Sequence, residues 1–324
     1  MPPTPRSAPV PRVLYLGGLG RSGTTLIERL LGELPGVMAL GEVVHLWERG
    51  VVGGERCGCG APFGSCEVWG RVGELAFGGW ERADLDRLAA LRAAVDRIRH
   101  IPLLAAPDLP PARAAQVVEY VDHYLRLYRA AAEVTGARVL VDSSKHASLA
   151  FCLRWAARAG RLDLRVLHVV RDSRGVAYSW TRQVRRPEAA AGGEEFMTQW
   201  SPARTAVQWN AENAAFQVLA RRGVPVRRMR YEEFLRDPVA GVRRIAGFAG
   251  LPADEEALGF LGDRHAELSV SHTASGNPMR FRTGRIELRA DERWRTRLAP
   301  PDQRKVTALT LPLLRHYGYV GGAS

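Results

Sequence analysis

Lysine is what this sequence has least of. Only Lys145 and Lys305 occur, against 44 arginines. With the abundance of alanine, glycine and valine, that bias fits codon usage under high-GC pressure and makes a surviving lysine a residue to account for. Apolar runs are short: none approaches the ~20 residues needed to cross a bilayer as a helix, which excludes a helical membrane span. The opening MPPTPRSAPVPR has prolines but lacks the apolar core of a secretory signal. It reads as a flexible arm over residues 1–12, and the chain as a cytoplasmic protein. Cysteine is scarce too, with four in 324 residues, so a disulfide-dense scaffold is excluded. Three of them, Cys57, Cys59 and Cys66, share the stretch CGCGAPFGSC. A fourth ligand such as His45 or Cys152 would complete a zinc site. The spacing is not that of usual zinc pairs, so a local disulfide or plain loop thiols are expected there, and no metal. No basic tail or aromatic-interleaved basic run is present either. The formal charge of +12 is spread along the chain, which speaks against a nucleic-acid partner and suits a small polyanion.

What is present is alternation. Val13–Gly18 is an apolar run ending in glycines, as a buried parallel strand would, and Thr24–Leu34 follows with helical spacing. Val37–Leu40 reads as a second strand ending at Gly41-Glu42. Residues 50–80 are rich in glycine and weakly periodic, and helices are expected near 84–99 and 112–134. Strand and helix then alternate again: strands at Arg138–Val141, Leu164–Val170 and Val226–Met229, helices at His146–Arg158, from Ser173, and at Ala203–Arg221. The last third reads as helical around a polar loop at 265–285. This predicts an α/β protein with a P-loop-like parallel β-sheet flanked by helices on both faces. A mainly helical insertion at 50–135 falls within one domain over 13–320. Ligands in such folds bind at the carboxyl ends of the strands.

The strongest local signal follows the first strand, in GLGRSGTTLIERLL. A glycine-rich turn feeding a helix N-terminus offers backbone N–H groups and the positive end of the helix dipole to an anion. Gly18 and Gly23 keep the spacing of a nucleotide P-loop, but Thr24 stands where that loop needs lysine, with Thr25 in the Ser/Thr position. The basic residue comes earlier, at Arg21. The plain structural reading is a glycine turn with Thr24 or Thr25 as helix cap.

Gly20-Arg21-Ser22-Gly23-Thr24-Thr25 resembles the 5′-phosphosulfate loop of sulfotransferases that use 3′-phosphoadenosine-5′-phosphosulfate (PAPS). Arg171, at the end of LRVLHVV, and Ser179, eight residues on, resemble the family's 3′-phosphate element; a strand-end ion pair with Asp172 is the plain alternative. Tyr231-Glu232-Glu233-Phe234 is similar to the segment whose tyrosine packs on adenine, although Tyr231 also reads as a core aromatic. Gly276–Gly284 is loosely similar to the loop that closes over the nucleotide, with Arg280, Arg282 and Gly284 as its binding candidates. The resemblance implies a bacterial, soluble enzyme that moves a sulfuryl group from PAPS, as co-substrate, to a hydroxyl or amine of a small acceptor, without a metal.

The resemblance also suggests the chemistry. Leu34–Glu42 has the form of the segment carrying a glutamate base in the tyrosylprotein and carbohydrate branch. Glu42 is therefore the candidate base, with His45 as its rival or a wall of the acceptor pocket, and a solvated or arginine-paired carboxylate as the plain reading. Arg21 would meet the leaving oxygen and Lys145 the transferred sulfonate. Asp142 could orient Lys145 or cap the next helix. The acceptor is expected between the insertion and loops near Trp47, Trp80 and 185–200. Two rival classes remain at this point: a P-loop kinase or NTPase with Asp142 as its metal-binding acid, and a basic anion- or nucleic-acid-binding protein.

Overall fold

The computed structural model describes residues 9–188 and 196–321. In chain order its elements are β1 (Arg12–Gly17), α1 (Thr24–Leu31), β2 (Val37–Gly41), α2 (Glu67–Phe77), α3 (Leu85–Val95), α4 (Ile101–Leu104), α5 (Pro111–Thr135), β3 (Val139–Lys145), α6 (Ala147–Arg158) and β4 (Asp163–Val170). Then follow α7 (Ser173–Thr181), α8 (Pro202–Ala220), β5 (Val226–Arg230), α9 (Tyr231–Arg236), α10 (Pro238–Ala249), β6 (His265–Leu268), β7 (Gly284–Glu287), α11 (Trp294–Arg297) and α12 (Pro300–His316). Most of the expected N-terminal arm, and residues 189–195 of the expected acceptor loop, lie outside the described residues.

Five parallel strands form one sheet in the order β2-β3-β1-β4-β5. β1 is central, and alternate residues along it face opposite cores. Leu14 and Leu16 pack with Ile27, Leu30 and Leu31 of α1 and with Val242 and Ile245 of α10. Val13 and Tyr15 pack with Tyr120, Tyr124 and Tyr128 of α5, Phe151 of α6 and Phe216 of α8. Both faces are thus covered by helices, which is why β1 and most of β4 read as continuous apolar runs. The chain moves from β1 out to β2, returns through β3, and then crosses to β4 on the other side of β1. That reversal opens a crevice at the carboxyl ends of β1, β3 and β4.

Residues 50–135 connect β2 to β3. Their longest helix, α5, joins Tyr128 to Asp142 of β3 by a hydrogen bond of 2.6 Å. Within the weakly periodic stretch the structure has a full helix, α2, which the sequence pattern did not disclose. Gly70 and Gly73 lower its helix propensity, and the second glycine is where the Trp80 indole packs. A second difference lies at 265–285, expected as a polar loop: β6 and β7 pair there in antiparallel register, Ala266 opposite Ile286. Each strand has only four residues, too few for alternation to stand out. No helix among the described residues is long and apolar enough to cross a membrane.

Candidate active site

The turn from β1 to α1 is built by close backbone approach. Gly18 has φ +134, and a Cβ there would meet the Val169 carbonyl oxygen of β4; Gly23 has φ +91, and a Cβ there would enter the Tyr231 ring. α1 is capped by Gly23 with no side-chain cap, so neither Thr24 nor Thr25 caps it. Between these glycines Arg21 adopts φ +75. Its Nε and Nη2 atoms, and Thr24 Oγ1, are buried without a hydrogen-bond partner. Burial lowers the Arg21 pKa, and the charge of Glu42 opposes that shift. Buried donors left unpartnered beside a helix N-terminus suit a bound oxyanion.

Glu42 follows β2 directly. Its backbone N–H donates to the Ser275 carbonyl at 3.1 Å, and Ala274 N–H donates to the Leu40 carbonyl at 2.8 Å, so the loop before Gly276 extends the edge of β2. Gly41 N–H donates to Glu28 Oε1 at 2.7 Å, fixing the turn that aims Glu42. The Lys145 ammonium donates to Glu42 Oε1. Lys145 and Arg21 are, among the described residues, the two non-glycine positions with positive φ, at +72° and +75°. Such backbone strain costs about 1–3 kcal/mol per residue and collects at functional sites. Burial alone would raise the Glu42 carboxyl; the charge and hydrogen bond of Lys145, with the charges of Arg49 and His146, outweigh it and leave the pKa below its ordinary value. His45 Nε2 stands 3.8 Å from Glu42 Oε2. Burial first, then the charge of Arg49, holds His45 well below the usual imidazole range, so it is neutral, and its Nδ1 is buried without a partner.

Asp142 is fully buried. It accepts from Tyr128 and from Ser144 N–H at 2.8 Å, and burial raises it to about 6. It neither bonds Lys145 nor caps α6, whose Ala147 N–H donates instead to Glu212 at 3.0 Å.

Arg171, at the end of β4, donates to the Arg21 carbonyl at 2.9 Å and to the Asp291 carbonyl at 3.2 Å. Its guanidinium lies 5.2 Å from the Tyr231 ring centroid. Asp172 caps α7 and pairs with Arg174 rather than with Arg171. Ser179 lies on α7, two turns in and partly exposed. The loop also has a support that sequence reasoning missed. Trp180 donates to the Gly20 carbonyl at 3.0 Å, lies 5.4 Å under the Arg21 guanidinium and stacks on Trp200 at 3.7 Å. Its place next to Ser179 in the sequence was the available signal.

None of the three C-terminal candidates bonds Arg21, Glu42 or Lys145, although the charge of Glu42 reaches Arg280. Arg280 is buried and donates to the Thr273 carbonyl at 2.7 Å and the Arg56 carbonyl at 2.6 Å, joining two loops. Arg282 is exposed, and Gly284 opens β7 opposite Leu268. Gly276 is the residue of that loop that reaches the site: a Cβ on it would lie 3.2 Å from Glu42 Oε1.

The model of the Sulfotransferase family matches residues 62–255, more than half of the chain. This chain belongs to the sulfotransferase family. The matched segment contains Arg171, Ser179 and Tyr231 and leaves out the loop at 20–25 and Glu42. Among solved structures, the sulfotransferase domain of the Synechococcus PCC 7002 olefin synthase is 21% identical, with a TM-score of 0.51 over 95% of this chain and 96% of that one. That likeness supports the fold. The sulfotransferase domain from the curacin biosynthetic pathway is 18% identical, with a TM-score of 0.48 over 95% of this chain and 98% of its own. The sulfotransferase of Alicyclobacillus acidocaldarius is 16% identical, with a TM-score of 0.37 over 93% and 96%. No protein of curated function matches the sequence.

Proposed function

We propose that this sulfotransferase moves the sulfuryl group of PAPS to a hydroxyl or amine of a small acceptor, with Glu42 as the base. Arg21 carries the reading: its buried, unpartnered Nε and Nη2 sit in a left-handed turn at the start of α1, close enough to Glu42 for the two charges to interact. Bound there, PAPS would supply an activated sulfonate whose S–O bond to the 5′-phosphate breaks. Backbone N–H groups from Gly20 to Thr25 would hold the phosphosulfate, with Arg21 on the leaving oxygen. Arg171 and Ser179 would take the 3′-phosphate and Tyr231 the adenine, beside the loop that Arg171 already braces. Glu42 would take the acceptor proton as the acceptor atom bonds to sulfur and the electron pair of the broken bond passes to the phosphate oxygen.

Lys145 gives this site a sequence of events. Without donor it holds Glu42 ionised but weakly basic. A sulfonate arriving beside Lys145 competes for the ammonium, and burial then raises the basicity of Glu42. The base is strengthened when there is something to transfer. His45, neutral and with Nδ1 unpartnered, fits the wall of the acceptor pocket. The insertion at 50–135 would form the rest of that pocket, around Trp47 and Trp80, within a single domain over 13–320. A kinase reading finds no support in Asp142, whose carboxylate is sealed between Tyr128 and Ser144.

The test is calorimetric binding of 3′-phosphoadenosine-5′-phosphate, 5′-AMP and ATP–magnesium to wild type and to Arg171→Ala. The expected result is a preference of at least ~10-fold for the 3′-phosphorylated nucleotide, the size of one charge-assisted contact, lost in the variant. Equal or tighter binding of ATP–magnesium would overturn the reading.

A further inference from the structure

Three cysteine thiols and one imidazole converge outside the catalytic crevice. Cys57, Cys59 and Cys66 come from the stretch that opens the insertion. The fourth group is His272, more than 200 residues away in sequence, and neither His45 nor Cys152 joins them. His45 stands beside Glu42, and the Cys152 thiol lies in α6 against the Val95 carbonyl. All four ligand atoms lie within 4.8 Å of one another. Cys59 Sγ is 3.9 Å from Cys66 Sγ, and His272 Nδ1 is 3.3 Å from Cys66 Sγ and 4.0 Å from Cys57 Sγ.

These last three separations lie close to the edges of a ligand tetrahedron. Four ligands at Zn–S of ~2.3 Å and Zn–N of ~2.0 Å stand roughly 3.5–3.8 Å apart, whereas a disulfide needs its sulfurs at ~2.05 Å. All four cysteines are free. Cys57 and Cys66 are buried and Cys59 is half-buried, as ligands facing a closed centre would be. The backbone around them is tied down. Cys57 N–H donates to the Ala61 carbonyl, Gly60 N–H to the Cys57 carbonyl, and Gly58 N–H to the Thr273 carbonyl, at 2.8, 2.8 and 2.9 Å. Trp69 Nε1 donates to the His272 carbonyl at 2.7 Å. Three thiolates and one Zn²⁺ would carry a net charge of −1. The buried guanidinium of Arg280 supplies the opposite charge, bonded to the carbonyls of Arg56 and Thr273, each next in sequence to a ligand.

We propose that Cys57, Cys59, Cys66 and His272 bind one structural zinc ion, which locks the start of the insertion onto the loop that extends β2 at Glu42. Four protein ligands leave no open coordination position, so the ion takes no part in the transfer. Its place in the fold is mechanical: His272 is two residues from Ala274, which bonds Leu40, and three from Ser275, which bonds Glu42.

The test is metal content of the full chain produced with zinc and desalted without chelator. About one zinc per chain is expected by plasma mass spectrometry, with three protons released on metal uptake by the apo-protein. Cobalt substituted into wild type is expected to give thiolate charge-transfer absorption and the intense visible bands of a tetrahedral site, a readout that no variant has to survive. Cys59→Ser, which alters the least buried thiol, is expected to weaken retention against a colorimetric chelator by at least ~10-fold, while Cys152→Ser leaves it unchanged. Wild-type protein without zinc and without thiolate–cobalt bands overturns the proposal. So does an intact mass lower by two hydrogens, with peptide mapping that joins Cys59 to Cys66 in a disulfide. None of these readouts depends on transferase activity, so the zinc site and the PAPS reading stand or fall separately.

Discussion

At the residue scale, the proposed chemistry rests on three charged side chains: Arg21, Glu42 and Lys145. The first and third hold strained left-handed backbones, and both act electrostatically on the second. Glu42→Gln keeps the shape and removes the proposed base, so kcat is expected to fall by about 10²–10⁴ while binding of 3′-phosphoadenosine-5′-phosphate is retained. Parallel loss of binding would point to a positioning role. Lys145→Ala tests the coupling. A base works when deprotonated, so activity falls as pH drops through its pKa. Lys145 holds that pKa down against burial, and its removal is expected to move the acidic limb of the kcat/KM profile to higher pH. A limb that stays in place would exclude Glu42 as the titrating group.

At the element scale, the turn from β1 to α1 is positioned by its neighbours. β4 approaches it through Val169, α7 through Trp180, and the start of α9 through Tyr231. Gly23 is where this packing is tightest, with positive φ and a tyrosine ring where a side chain would go. Gly23→Ala is expected to strain the backbone and displace Tyr231, weakening nucleotide binding at least ~10-fold. Calorimetry on the folded variant checks this, and unchanged affinity would mean the loop tolerates another path. Neighbours also explain what was hidden in the sequence. Arg280 reads as a phosphate ligand because it sits in a basic, glycine-containing segment; the fold buries its guanidinium against the carbonyls of Arg56 and Thr273, contacts that the segment does not announce.

At the scale of the whole molecule, the sheet floor is held by buried acids. Glu28 links α1 to the ends of β2 and β3, accepting from Gly41 N–H and from Ser143 Oγ at 2.6 Å. Burial raises it to about 7, against the hydrogen bonds that lower it. A carboxyl raised in the folded state favours folding while protonated. Its contribution is complete below the unfolded pKa of about 4.3 and is lost as pH rises through about 7. Glu212, raised by burial to about 7, acts in the same direction. Glu28→Gln keeps an acceptor for Gly41 and a donor for Ser143 without the titration. It is expected to match wild type near pH 5 and to melt at higher temperature above pH 7. Thermal unfolding at both values checks this; equal melting temperatures at high pH would show that Glu28 is not the acid that titrates.

The sequence by itself determined the strand–helix alternation, the glycine turn with its basic residue, and the pairing of Arg171 and Ser179 on one strand-to-helix turn. These are local: side-chain period, backbone permission at glycine and short spacing are written in neighbouring residues. Only the tertiary structure decided that Lys145 reaches Glu42, that Trp180 braces the loop, and that Asp142 is sealed by Tyr128. The same holds for His272, which joins three cysteines from the far end of the chain. Each of those contacts depends on strand order and on how loops cross a sheet edge. Packing of the whole chain sets these, and no window of sequence contains it.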